Sequence, residues 1–168
     1  MSLPNAVFDV AAARAALSPL AGKGYDVAGL FEFLDAEFRP RSLVDVCSPV
    51  AAYGLSEGGI WIFNKDVSLS KIKPVDLHNA GWPCQTIWDD SSGNPPDLSS
   101  ISPGAWFLYR ASDVIGDLID VFEGEDFSHV ELYLGGGQSF GARFPTLNFY
   151  PTRVDQYLVE IRRYQIDM

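Results

Sequence analysis

Two side chains in this sequence are equipped for covalent chemistry at neutral pH: the thiol of Cys47 and the imidazole of His129. Cys47 lies in Asp45-Val46-Cys47-Ser48-Pro49-Val50-Ala51-Ala52-Tyr53-Gly54-Leu55, with Gly58-Gly59 just beyond. Proline is accommodated in the first helical turn, where its missing N–H has no partner to lose, and glycine ends helices, so Ser48-Pro49 predicts a helix start and the double glycine its end. A cysteine at a helix N-terminus faces unpaired N–H groups and the positive end of the helix dipole, which stabilise a thiolate. The plainer reading of Cys47 is a small buried apolar side chain beside Val44 and Val46, because free cysteines are among the most buried residues. Both readings stand on position alone.

His129 opens Phe127-Ser128-His129-Val130-Glu131-Leu132-Tyr133-Leu134-Gly135-Gly136-Gly137-Gln138-Ser139-Phe140-Gly141-Ala142-Arg143. Val130, Leu132 and Leu134 alternate with His129, Glu131 and Tyr133, the period of a strand with one face buried and the other polar or open. The three glycines supply a tight reversal, and residues 138–144 return as an antiparallel neighbour. A ring fixed at the start of a strand and titrating near neutrality is a natural general base. The other candidates are weaker. Cys84 follows Pro83 with no helix behind it and reads as structural, His78 as a surface or satisfied histidine. Trp82 and Trp88 either wall a substrate groove or pin a long loop to the body.

Elements that position the pair follow from pattern. Residues 6–17 are Ala- and Leu-rich and predict a helix, and a second helix is expected over 26–38, where Leu30, Phe31, Phe33, Leu34 and Phe38 form an apolar stripe that Pro40 ends. Residues 60–63 are a short strand candidate. Residues 65–97 carry turn signals throughout and read as a long covering loop. Residues 105–110 predict a strand, 113–126 an acidic excursion, 145–151 a loop and 157–164 a closing strand, whose inward face begins at Tyr157 or Leu158. Helices first and antiparallel strands afterwards make an α+β domain, taken here as one unit over 1–168, with 1–24 as its N-terminal helix and connection.

A chain of 168 residues, 47% hydrophobic, is long enough to bury a core. Its apolar runs are far shorter than the roughly 20 residues that cross a bilayer, and Met1-Ser2-Leu3-Pro4-Asn5 lacks the basic start of a secretory leader, which leaves the compartment open. A net charge of −10 argues against a nucleic-acid partner. No Cys/His cluster has zinc spacing, so no metal or cofactor is expected.

The order of these parts, a cysteine opening a helix, then Pro103-Gly104 before an aromatic strand, then His129-Val130-Glu131-Leu132-Tyr133-Leu134-Gly135, resembles the NlpC-type family of papain-like cysteine peptidases. That family carries Asp-Cys-Ser-Gly, Pro-Gly-Asp and a strand much like His-Val-Gly-Ile-Tyr-Leu-Gly. The matching residues are Asp45, Cys47 and Ser48, then Pro103-Gly104, then the histidine strand. Val46 stands between Asp45 and Cys47, Pro49 replaces a glycine and Ala105 an aspartate.

The resemblance implies a papain-like sheet of five or six antiparallel strands with the N-terminal helices packed on it. It implies cleavage of an amide bond in a peptidoglycan stem peptide or similar peptide, without a metal, with Cys47 as nucleophile and His129 as the acid–base. Asp45, Ser48 and Trp82 would then bind substrate. The family's third polar residue, which orients the imidazole, falls by count on Gly141, so Gln138, Ser139 and Glu131 are the candidates to orient the ring or line the groove. Two other function classes fit the sequence. One is an inactive relative serving as a peptide-binding or assembly module, for example in a phage tail or secretion apparatus; the other is an unrelated α+β domain whose Cys47 is core packing.

Overall fold

The computed structural model describes residues 7–24, 47–63, 67–81, 83–110, 128–143 and 145–165. The helix expected over 26–38 and the acidic stretch 113–126 lie outside the described residues. Helix α1 (Val10–Leu17) starts at Asp9, whose side chain accepts a hydrogen bond from the Ala12 N–H at 2.9 Å, and it buries Ala13 and Leu17. Helix α2 (Cys47–Glu57) buries Val50, Ala51 and Leu55 along one side. A short helix α3 (Pro74–His78) follows, with proline in its first turn.

Among the described residues, six strands form a single sheet: β1 (Cys84–Asp89), β2 (Trp106–Tyr109), β3 (His129–Tyr133), β4 (Gln138–Arg143), β5 (Thr146–Pro151) and β6 (Leu158–Tyr164), in the order β1-β6-β2-β3-β4-β5. Every neighbouring pair is antiparallel. Helices α1 and α2 pack on one face, where Leu17, Val50 and Leu55 meet Trp106, Leu108, Val130, Leu132 and Phe140. The fold is therefore the expected α+β arrangement of helices on an antiparallel sheet. Gly135, Gly136 and Gly137 all adopt positive φ (86°, 61° and 73°) and turn β3 into β4, as the sequence predicts.

The second sheet face differs from the expectation of a polar or open surface. Glu131 is 0% and Tyr133 2% exposed. Phe107, Tyr109, Tyr133, Leu158 and Ile161 form a second apolar cluster there, so β3 is covered on both sides. Leu158, not Tyr157, begins the inward face of β6.

Three local expectations are corrected. Residues 60–63 form no strand: the Ile60 N–H turns back to the Leu55 carbonyl at 2.9 Å, and Trp61 and Phe63 pack edge to face instead. The stretch read as irregular over 65–97 contains α3 and β1, which pairs with β6. The stretch read as a loop over 145–151 is β5, an edge strand that accommodates Pro151 because one side of an edge needs no ladder donor. Among the described residues, no helix is long and apolar enough to cross a membrane.

Candidate active site

Cys47 is the first described residue of α2, and packing of α2 over β3 brings it to the chain segment that enters that strand. Its Sγ lies 3.6 Å from the carbonyl oxygen of Ser128, the residue before His129. The thiol thereby comes close enough to the His129 ring to raise its proton affinity, although one comes from a helix early in the chain and the other from a strand late in it. Nε2 of His129 lies 2.9 Å from Oε1 of Glu131. The Nδ1 edge is then the one left for Cys47.

Glu131 is buried and its charge is met from two sides. Arg143 on β4 donates from Nε to Oε1 at 2.6 Å and from Nη2 to Oε2 at 2.9 Å, the two-pronged geometry that suits a guanidinium to a carboxylate. The same Nη2 reaches the Pro151 carbonyl at 3.0 Å, and the guanidinium lies 4.3 Å over the Tyr150 ring. A buried carboxylate without such partners would give up its charge. Burial does work to raise the Glu131 pKa, but the hydrogen bonds from His129 and Arg143 overcome it and bring it down to about 2. His129 is the mirror case. Burial lowers its pKa, yet contact with Cys47 and Glu131 prevails and raises it to about 9. The proton affinity of the ring is thus set from its two edges, by Cys47 on one and the Glu131 carboxylate on the other.

The remaining sequence candidates go elsewhere. Gln138 accepts from Arg14 at 2.5 Å, and Ser139 pairs with Thr152 at 2.7 Å, so neither orients the ring. Ser48 is fully buried and donates to the Ile72 carbonyl at 2.8 Å, where it ties α2 to the segment before α3. Asp45 and Trp82 lie outside the described residues. Of the possible orienting residues only Glu131 meets His129. Strand alternation places Arg143 on the same face as Gly141 and Ser139, and its guanidinium goes to Glu131. His78 is satisfied by Glu160, Nδ1 to Oε2 at 2.5 Å, and Cys84 is a free thiol like Cys47.

No protein-family model and no curated protein matches the chain. Solved structures do. A protein of the NLP/P60 family, similar to a lipoprotein, from Staphylococcus aureus superposes over 99% of this chain and 46% of its own, with a TM-score of 0.57 and 14% identity. The peptidoglycan hydrolase RipB from Mycobacterium tuberculosis does so over 100% and 70%, at 0.55 and 19%. The fold is that of NlpC/P60 proteins. NlpC2 from Trichomonas vaginalis matches over 94% of this chain and 47% of its own, at 0.54 and 18%. This chain therefore spans a little under half the length of the staphylococcal and trichomonad proteins. At these identities the likeness is one of fold, and the NlpC/P60 fold is the frame in which the Cys47–His129 contact has to be interpreted.

Proposed function

We propose that this domain is a cysteine-type amide hydrolase acting on a peptidoglycan stem peptide or a similar peptide. The observation that carries this reading is that the Cys47 sulfur lies against the chain entering the His129 strand, 3.6 Å from the Ser128 carbonyl oxygen, where it acts on the imidazole. In the reaction the sulfur attacks the scissile carbonyl carbon after passing its proton to His129. His129 protonates the leaving amine as the C–N bond breaks, and a thioester remains. A water then gives its proton to His129, attacks the thioester and releases the acid, and the thiol is restored. The backbone N–H of Cys47 would help hold the oxyanion. The peptidoglycan hydrolase among the structural neighbours supports the substrate class.

The test is release of new amino groups from stem peptides and intact peptidoglycan by the wild-type chain and Cys47→Ala. Turnover that vanishes in the variant is expected, and turnover that survives it would overturn the assignment. One observation favours a second reading, a peptide-binding module: Cys47 is only 2% exposed. Saturable peptide binding without product at any enzyme concentration would support it.

A further inference from the structure

His129 and Glu131 are two positions apart on one strand, so their side chains share a face with Cα atoms about 7 Å apart. To reach Nε2 the Glu131 side chain needs room along the sheet surface above the adjacent strand. The register Leu132↔Phe140 and Tyr133↔Ser139, carried one step on, sets Glu131 opposite Gly141. A β-carbon on Gly141 would stand 2.7 Å from Cγ of Glu131 and 2.9 Å from both Cδ and Oε1. Those distances are too short for any real side chain, so Glu131 takes up the space that residue 141 leaves. Arg143, two positions along on the same face of β4, fixes the carboxylate from the far side.

We propose that Glu131, admitted by Gly141 and clamped by Arg143, is the positioning residue that sets the His129 imidazole for Cys47. This deepens the hydrolase reading and rests on it. The orienting group has moved from the strand beside the histidine to the histidine's own strand, and the glycine is the other half of that exchange. A carboxylate in this place fixes the neutral ring as the Nε2–H tautomer, with Nδ1 free to accept from the thiol. The described groups facing the ring are Cys47 from α2, Glu131 from β3, Tyr109 from β2 and Arg143 from β4, with Arg153 on the Tyr109 ring. Glu131 is the only carboxylate among them.

The chain has two histidines, so NMR titration follows both rings and His78→Gln assigns them. In the wild type His129 is expected to titrate near 9 and to show the Nε2–H tautomer when neutral. A midpoint at the ordinary 6.5 would overturn the proposal. Glu131→Gln keeps the shape without the charge. It should lower the His129 midpoint by about one unit or more, a tenfold loss of proton affinity, and cut kcat about tenfold or more with little change in KM. Gly141→Ala keeps both charges but displaces the carboxylate, and should move the same midpoint, so a folding defect in Glu131→Gln does not decide the outcome. If Cys47-dependent turnover persists while the midpoint is unchanged in a folded variant, the positioning role fails and the hydrolase stands. If wild type turns over nothing while the midpoint shifts as expected, the hydrolase reading fails and the Glu131–His129 coupling stands.

Discussion

Tyr109 and His129 face each other across β2 and β3, with ring centroids 5.7 Å apart, at the point where the register of β2 against β6 slips between Leu108 and Tyr109. The bulge turns the end of β2 and places an aromatic ring against the imidazole. Tyr109 is 1% exposed, and its hydroxyl donates to the Arg153 carbonyl at 2.9 Å. The ring is thus held at both ends.

Removing the hydroxyl in Tyr109→Phe should cost about 1 kcal/mol, the net value of one hydrogen bond, and leave the His129 titration nearly in place. Tyr109→Ala should cost about 3–5 kcal/mol, as for other large aromatic side chains removed from cores. It should also loosen the ring of His129. Urea unfolding and the NMR titration measure the two effects separately, and equal losses in both variants would contradict the packing role.

Stability should depend on pH through the same cluster. His129 is raised from 6.5 to about 9, so its contribution is whole below about 6.5 and is lost as pH rises through about 9. Glu131 is lowered from 4.5 to about 2, so its contribution is whole above about 4.5 and is lost as pH falls through about 2. Both are present in full only between about 4.5 and 6.5. Glu131→Gln should therefore lower Tm most in that window, less once the pH has passed 9 and least once it has fallen to 2. Parallel Tm curves for the two proteins would refute this linkage.

The two cysteines should differ sharply in reactivity. Burial pushes the Cys84 thiol up to about 11 against the pull of Arg162, so it stays protonated and slow to alkylate at neutral pH. Iodoacetamide near neutral pH should label Cys47 in the folded protein and Cys84 only after denaturation, as read by peptide mass mapping. Labelling in the reverse order would count against both the nucleophile assignment and the fold's hold on Cys84.

The strands at the middle of the sheet were legible in the sequence, and those at its edges were not. Residues 105–110 are an aromatic and aliphatic run behind the Pro103-Gly104 turn, and 129–143 show the alternation and glycine punctuation of paired strands. Strand β5 is flanked and ended by prolines, which an edge tolerates and which a sequence reading takes for a loop. Strand β1 has an irregular half-buried pattern because its side chains cover the second apolar cluster only in part and its pairing with β6 is bulged between Thr86 and Trp88. The pairing of Cys47 with His129 could be anticipated because each carries a local signal, a helix start or a strand start. The partner of the ring could not be chosen, since Gly141 signals only a missing side chain. Only the register of β3 on β4 reveals which neighbour fills the space.

His129, Glu131 and Arg143 all belong to the two strands joined by the triple-glycine turn. A chain segment of that kind closes within microseconds and needs no distant contact to do so. The ring is therefore tied to Glu131 and Arg143 by neighbours close in the chain, whereas the Tyr109 ring and the sulfur must arrive from other elements. A descendant that discards Cys47 would keep the imidazole, carboxylate and guanidinium locked together, a charge relay without its nucleophile.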